Sequence, residues 1–334
     1  MKENMMNINI RQIAVTVLST VAMTLPATVS AQIPAELVGK SIKIVVPQAA
    51  GGASDAIARL MAAELSQRWG NSIVVENRPG AGGNIGSEAV AKSPGDGATW
   101  LMSYSGTHAI NPSLYKKMSF DMAKDLAPIA SLATLPFVLV VNPALPVKNI
   151  AEYVAYAKAN PGKINIASSG NGSVNHLLNE MLGLAADIKT THVPYKGVAP
   201  ALTDVMGGQV QGVYASAPSV MSQIKSGAVR PLAASATRRS EALPDVPTFG
   251  EAGYPALALD SWFAFFVSST TPMALREKIH TEINKVLADP KVVEQLRLRG
   301  ASTLITTLPE FQKVINNDLE QWGKAVRASG ATID

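Results

Sequence analysis

The sequence predicts an α/β fold with two domains, and three observations support this. Short runs rich in β-branched residues alternate with segments whose apolar residues recur at helical spacing, as in sheets covered by helices. The alternation occurs twice along the chain, and the second series begins near residue 150. The length of 334 residues also suits an N-terminal leader followed by two domains of about 150 residues each.

The leader occupies residues 1–31. Lys2 and Arg11 flank a polar start, and the apolar run over 13–25 is too short to span a bilayer comfortably. Val29 and Ala31 place small residues at the −3 and −1 positions of a cleavage site. We therefore expect a secretory signal peptide that is cleaved after Ala31, with an uncleaved anchor helix as the alternative.

Composition argues against several classes of function. The 29 Lys and Arg residues slightly outnumber the 25 Asp and Glu residues, and without a long basic run nucleic acid is not an expected partner. After the leader no run of about 18 apolar residues occurs, so we expect a soluble chain. The sequence has no cysteine, which excludes disulfides and a lipid anchor. The four histidines lack metal-ligand spacing, so we expect neither a metal nor a cofactor.

The first series of elements runs from residue 41 to residue 141. Its predicted strands are β-rich or continuously apolar, and they cover 41–46, 72–76, 98–104 and 137–141. Apolar spacing predicts helices over 57–65 and 85–91, with Ser54 or Asp55 as the cap of the first. Parallel sheets covered by helices are expected from this order.

The second series repeats this order with shorter strands. Its predicted helices cover 150–159, 174–184 and 199–206, and its predicted strands cover 163–167, 188–193, 210–215 and 229–234. The segment 238–255 is rich in proline, glycine and charge, which predicts a surface loop. A strand over 261–267 is expected to return to the first domain. Strands crossing near 137–142 and 230–262 would then form a hinge.

Two helices are predicted to close the chain. Pro272 begins the first of them, and Thr307 with Glu310 forms a capping box for the second. Gly330 stands where the end of that helix needs left-handed backbone geometry.

Two Gly/Ser-rich loops are the main candidates for a binding site. The loops at 47–55 and 167–173 each follow a strand and begin a helix, so they lie at the strand ends where α/β sheets bind ligands. Backbone N–H groups at the positive end of a helix favour a bound anion. Two such loops facing each other would hold a small carboxylate from both sides, although each is also compatible with an ordinary strand-to-helix turn. The candidate ligand-binding residues in these loops are Gly51, Gly52, Ser169, Asn171 and Ser173.

Further candidates follow other strands. Ser105 and Thr107 offer hydroxyl groups, although these residues are also compatible with plain turn formation. His176 lies one helical turn beyond the second loop, and the alternative there is a histidine that is hydrogen-bonded within the protein or lies at the surface. The segment 80–86 fails the dinucleotide pattern because Ile85 stands where the third glycine belongs, but its Asn84 is expected to face the pocket. Tyr195, Ser216 and Asp260 complete this group of candidates.

Several of these segments together resemble the Bug receptors, the periplasmic solute-binding proteins of tripartite tricarboxylate transporters. The resemblance is carried by 44–47 with Gly51, Gly52 and Asp55, by 74–86, by 167–173 with His176 and Leu177, by 192–197 and by 242–248. It implies a two-lobed periplasmic-binding-protein fold of type II, the Venus flytrap, with a ligand cleft between the lobes. It also implies a monomeric receptor, not an enzyme, that delivers a small carboxylate to membrane permease subunits.

The resemblance also implies domain boundaries and site residues. One lobe would comprise 32–137 and 258–334, with 138–257 inserted as the other. The pocket segments of the family match at Gly51, Gly52, Asn84, Ser105, Thr107, Ser169, Ser173 and His176. The first loop departs from the family, which usually has Phe and Pro where this chain has Gln48 and Ala50. Gln48 would replace an apolar wall with an amide, so it is a further candidate ligand-binding residue and favours a ligand with an extra polar group.

Two other functions remain open at the level of sequence. Ser169, Ser173 and His176 are compatible with an exported α/β hydrolase, although no G-x-S-x-G motif occurs. A ligand-sensing adaptor for a membrane sensor kinase would have the same fold. The sequence does not distinguish dicarboxylates, tricarboxylates, amino acids and aromatic acids as ligands.

Overall fold

The computed structural model describes residues 32–333, so the expected signal peptide and its cleavage site lie outside the described residues. The strands of the described range are β1 (Ile42–Val46), β2 (Ile73–Asn77), β3 (Thr99–Tyr104), β4 (Leu126–Leu135), β5 (Phe137–Val141), β6 (Asn165–Ser168), β7 (Thr191–Pro194), β8 (Gly212–Ser216), β9 (Arg230–Ser235), β10 (Ser261–Ser268) and β11 (Ser302–Thr303). The helices are α1 (Ala53–Trp69), α2 (Asn84–Ala91), α3 (Asn111–Leu114), α4 (Ile150–Ala159), α5 (Val174–Ala186), α6 (Val198–Met206), α7 (Ala217–Lys225), α8 (Met273–Leu287), α9 (Pro290–Leu298) and α10 (Leu308–Ser329).

The strands form two sheets, one in each lobe. The first sheet has the order β11-β4-β10-β3-β1-β2, and the second has the order β7-β6-β8-β5-β9. Both are mixed: β1 pairs in parallel with β2 and β3, whereas β10 pairs antiparallel with β3 and β4, and β5 pairs antiparallel with β8 and β9. The prediction of an α/β fold is confirmed, but the expectation of parallel sheets is wrong, because the strands at each crossing run against their neighbours.

The chain crosses between the two sheets twice. Pro136 alone separates β4 from β5, and its carbonyl accepts the N–H of Ala217 at the start of α7 (2.9 Å). The second crossing is the longer segment 236–260 between β9 and β10. One of the two crossings is thus a single residue, which limits a hinge at this crossing to the backbone close to Pro136.

The C-terminal helix α10 packs against both lobes. Its Phe311 contacts the ring of Trp262 on β10 edge to face, with centroids 5.1 Å apart. Further along, its Trp322 and Val326 are buried in a cluster that also contains Tyr153 and Tyr214 of the second lobe. Three helices, rather than the two expected, follow β10, because Asp289 caps a separate helix α9. Of the helices in 32–333, none is long and apolar enough to cross a membrane.

Candidate functional site

The first loop leads into α1, whose first backbone N–H groups are not capped by a side chain. Gly52 is the N-cap in an extended conformation, and no side chain caps the helix, which corrects the expectation of Ser54 or Asp55 at that position. The N–H groups of the first helical turn therefore have no partner within the helix. Gly51 has φ +89°, a conformation that side chains other than glycine rarely adopt. The loop geometry thus presents N–H groups at the positive end of a 17-residue helix.

Asp55 holds this loop in place from inside the helix. Its Oδ2 accepts the N–H of Gly51 (3.0 Å) and Nε of Arg59 (3.0 Å), and its Oδ1 accepts Nδ2 of Asn77 (3.0 Å). The hydrogen bond from Arg59, with those from Gly51 and Asn77, lowers the pKa of Asp55 to about 2 despite its burial. The Gly51 N–H is therefore bonded within the loop, and Gly52 and the residues after it supply the free donors.

Three of the expected site residues meet in a hydrogen-bonded network on the first lobe. Gln48 Nε2 donates to Thr107 Oγ1 (3.1 Å), which donates to the carbonyl of Gly82 (3.3 Å). Asn111 Nδ2 donates to the same carbonyl (3.0 Å) and to Asn84 Oδ1 (2.7 Å). The side chains of Thr107 and Asn84 are thus bonded to protein groups, while Gln48 Oε1 is buried without a partner in 32–333.

Glycines allow this network to form. Gly83 has φ +100°, and a Cβ there would lie 2.9 Å from Thr107 Cγ2. Gly83 therefore allows the segment 80–86 to pack closely against Thr107. Ser105, immediately before a π-helical turn over Gly106–Ile110, is fully buried, and its hydroxyl lacks a partner among the described residues. Such turns are frequent at functional sites.

The hydroxyl groups of the second loop are used within that loop. Ser169 donates to Asn175 Oδ1 (2.6 Å), and Ser173 donates to the Gly170 carbonyl (2.7 Å) and caps α5 by accepting the His176 N–H (3.4 Å). Asn171 is exposed. No hydrogen bond within 32–333 joins this loop to the Gly51–Gly52 loop, so the arrangement of the two facing loops stays a prediction.

The imidazole of His176 supports the second loop. Its Nδ1 accepts the N–H of Gly172 (3.1 Å), and its ring stacks on that of His192 with centroids 3.9 Å apart. Burial, with a smaller contribution from His192, lowers the pKa of His176 to about 4. The unprotonated Nδ1 is required for the bond to Gly172, because a protonated imidazole carries donors on both nitrogens.

We expect His176→Leu to lower the free energy of unfolding by about 1–3 kcal/mol at pH 7.5, because the Gly172 N–H loses its acceptor. His176 has a folded-state pKa below its unfolded value, so its contribution is present above about pH 6.5 and is lost as the pH falls through about 4. The difference in unfolding free energy between wild type and variant, measured with urea, should therefore shrink as the pH falls from about 6.5 to about 4. A difference that does not vary with pH would contradict this role.

Two other expected residues are bonded away from the loops. Tyr195 donates its hydroxyl to Asp204 Oδ2 on α6 (2.6 Å), and the carboxylate of Asp204 raises the pKa of Tyr195 to about 12. Asp260 lies in the second crossing and accepts hydrogen bonds from the N–H and the hydroxyl of Thr237. Both side chains therefore stabilise local structure in the free protein.

A cavity between the lobes brings three of the expected residues together. Its volume is about 380 Å³, within the range of small-molecule sites. The lining residues come from the first loop and α1, from the end of β4, from the start of α7 and from the end of α9; they are Gly51, Gly52, Ala53, Ala56, Ile57, Leu135, Ser216, Pro218, Ser219 and Arg299. Gly51, Gly52 and Ser216 were expected from the sequence, and the other seven were not.

A second helix N-terminus lies at this cavity. Ser216 precedes α7, and its Oγ is bonded to Ser219 Oγ (2.7 Å) rather than to a backbone N–H of the helix. Ser216 and Ser219 place two small hydroxyl residues at the junction between β8 and α7. This sequence pattern could have identified Ser219 as a residue of the site. Arg299 had no such signal, because it follows an exposed amphipathic helix in sequence.

The site has no arrangement suited to hydrolysis. Ser168 Oγ lies 2.6 Å from His192 Nε2, but Ser168 is fully buried, so a substrate cannot reach its hydroxyl. Ser169 and Ser173 are bonded to groups other than an imidazole nitrogen. Within residues 32–333 no group of three or more His, Asp or Glu side chains is placed to hold a metal ion.

The structure thus has two α/β lobes joined by crossing segments, and helix N-termini line the cavity between the lobes. This arrangement is that of a solute-binding protein. The chain belongs to the tripartite tricarboxylate transporter family of receptors, whose family model matches residues 57–331. This confirms the resemblance to the Bug receptors, and with it a binding protein rather than an enzyme.

The similar proteins cover almost the whole described chain. Protein BugT of Bordetella pertussis is 36% identical over 295 residues, which are 88% of this chain and 90% of BugT. The structure of the periplasmic binding protein BugD is 33% identical with a TM-score of 0.72, covering 87% of this chain and 98% of BugD. The structure of R. palustris Rpa4515 with adipate is 33% identical with a TM-score of 0.76, covering 88% and 98% of the two chains.

Proposed function

We propose that this chain is a periplasmic receptor that binds a small organic carboxylate between its lobes and delivers it to the membrane subunits of a tripartite transporter. The observation that carries the proposal is the cavity formed jointly by the N-termini of α1 and α7. Relatives with this fold include Rpa4515 solved with adipate and MatC from Rhodopseudomonas palustris solved with malate. The family to which the chain belongs and its leader sequence both favour a periplasmic location.

The geometry favours an anion held mainly by the backbone. Gly52 and Ala53 line the cavity at the uncapped start of α1, and the partial positive charge there favours a carboxylate. Each charge-assisted hydrogen bond contributes about 1.5–3 kcal/mol, and micromolar binding needs about 8 kcal/mol. A few hydrogen bonds from backbone donors, which become stronger when lobe closure excludes water, therefore suffice for micromolar binding.

Ile57, Leu135 and Pro218 add an apolar wall to the cavity. This wall suits the hydrocarbon part of an organic acid better than the shell of hydroxyl groups of a sugar. Gln48, Asn84 and Thr107 then act by fixing the loops next to the first helix turn. We keep Ser105, Ser169, Asn171, Ser173, His176, Tyr195 and Asp260 as candidates for contact in the closed, ligand-bound form.

Calorimetric titration tests the proposal directly. Protein freed of copurifying ligand by unfolding, dialysis and refolding is titrated with adipate, malate and other carboxylates, and with adipamide as a neutral control. We expect micromolar binding of at least one carboxylate, compaction in small-angle scattering when it binds, and no heat with adipamide. No binding of any carboxylate by correctly refolded protein would overturn the proposal.

A proline substitution tests the backbone donors of α1 specifically. Ala53 is the first residue of α1, where proline is tolerated because its missing N–H has no partner in the helix. The extended conformation of Gly52 is also compatible with a following proline. We expect Ala53→Pro to weaken carboxylate binding about tenfold or more at unchanged stability. Met273→Pro, at the first position of the distant helix α8, is the matched control and should bind normally.

A further inference from the structure

Arg299 is the charged residue in the lining of the cavity between the lobes; the other nine lining residues are small, apolar or hydroxyl-bearing. It directly follows α9 and is partly buried. A guanidinium group at a partly enclosed cavity attracts an anion more strongly than one in bulk water. Arg299 therefore gives the cavity a second anion-attracting group, distinct from the start of α1.

The guanidinium is oriented but not neutralised. Nη1 donates to the carbonyl of Gln295 (2.6 Å) and to its Oε1 (2.8 Å), which fixes one edge of the group. Within residues 32–333 no carboxylate pairs with it, and its other N–H groups have no acceptor. By contrast, Arg297, two residues earlier, makes two hydrogen bonds to the carboxylate of Glu294 (2.7 and 2.8 Å). Arg299 is thus available to an acidic ligand, whereas Arg297 is already paired.

The turn after Arg299 lies against the other lobe. Gly300 has φ +70°, and a Cβ there would lie 2.8 Å from Cγ of Pro218 in α7. The position of Arg299 is therefore set by the same contact that joins the first lobe to the start of α7. A ligand that contacts both the first turn of α1 and Arg299 would bind two separate anion-attracting groups of the same cavity.

We propose that Arg299 selects dicarboxylates: one carboxylate binds at the start of α1, and the second pairs with the free edge of the guanidinium. The apolar side chains Ile57 and Leu135 then accommodate the hydrocarbon chain that links the two carboxylates. This inference rests on the proposed function and names the class of ligand. Arginine suits this role because its planar group binds a carboxylate through two parallel hydrogen bonds.

The experiment compares adipate with hexanoate, which has the same chain length and one carboxylate. Both are titrated calorimetrically, at about 0.15 M salt, into wild type, Arg299→Gln and Arg297→Gln. Arg297→Gln is the matched control, because it removes the same charge from a neighbouring residue outside the lining of this cavity. We expect wild type to bind adipate at least about tenfold more tightly than hexanoate.

Arg299→Gln should reduce adipate binding to the level of hexanoate and leave hexanoate binding within about twofold, while Arg297→Gln keeps the wild-type preference. A preference for adipate that survives Arg299→Gln overturns the inference, and so does an equal loss for both acids. If wild type binds both acids equally, the inference fails and the proposed function stands. If wild type binds no carboxylate, both fail.

Discussion

Replacing Trp322 with alanine should lower the free energy of unfolding by about 3–5 kcal/mol, the usual range for a large aromatic side chain in a core. Trp322 is 1% exposed and lies on the half of α10 that packs into the second lobe. Its cluster also contains Ile110 and Leu114, which follow β3 of the first sheet. The indole therefore fills space shared by both lobes, and neighbouring elements cannot collapse into its cavity without moving one lobe against the other.

Urea unfolding monitored by circular dichroism measures this effect. Val314→Ala is the control, because Val314 lies on the same helix and is exposed; we expect a change below about 0.5 kcal/mol there. Both variants should unfold in one transition, since α10 ties the lobes together. A loss of less than about 1 kcal/mol for Trp322→Ala would show that α10 does not hold the second lobe.

The central strands of each lobe were predictable from local sequence. The run Phe137–Val141 is continuously apolar and β-branched, and it forms β5 as expected. The strand β4 was missed, because its sequence contains alanine, serine and proline and has little intrinsic strand preference. Long antiparallel pairing with β10 stabilises it as a strand, and that partner lies more than a hundred residues away in the chain.

The candidate site was predictable where it depends on loop chemistry. Gly51 and Gly52 were expected because glycine-rich turns that begin helices favour anions. The hydrogen bond from the Gly51 N–H to Asp55 was not expected, because the sequence alone does not distinguish a carboxylate that caps the helix from one that accepts a hydrogen bond from the preceding loop. Arg299 was missed for a different reason: only the packing of Gly300 against Pro218 brings it to the cavity.

Asp318 provides the second large effect that we expect, in the pH dependence of stability. It is 3% exposed on α10, and its Oδ2 accepts Nε1 of Trp262 (2.7 Å). No lysine or arginine of the described chain pairs with it, and the nearby carboxylate of Asp260 repels its charged form. Burial, with a smaller contribution from Asp260, raises the pKa of Asp318 to about 7 against the opposing hydrogen bond from Trp262.

The sign of the effect follows from the direction of this shift. Between about pH 4 and pH 7 the folded state keeps a proton on Asp318 that the unfolded state has released, so folding stability falls as the pH rises. A shift of about three pKa units corresponds to about 4 kcal/mol across this window. Protonation of His176 acts in the opposite direction over part of the window, so the wild-type profile alone does not isolate Asp318.

Asp318→Asn isolates the contribution of this carboxyl group. The amide oxygen can still accept the Trp262 N–H, but the side chain no longer titrates. We expect the variant to be about 2–4 kcal/mol more stable than wild type at pH 8 and within about 1 kcal/mol of it at pH 4. Asp245→Asn, at an exposed loop position, is the matched control and should follow the wild-type profile.

Urea unfolding at several pH values gives the difference between the two profiles, in which the titration of every group that does not interact with Asp318 cancels. A constant difference from pH 4 to pH 8 would mean that Asp318 binds its proton equally well in the folded and unfolded states, and its raised pKa would be refuted. The difference should grow between about pH 4 and pH 7, where only the unfolded state has released the proton, and level off above about pH 7, where Asp318 is charged in both states.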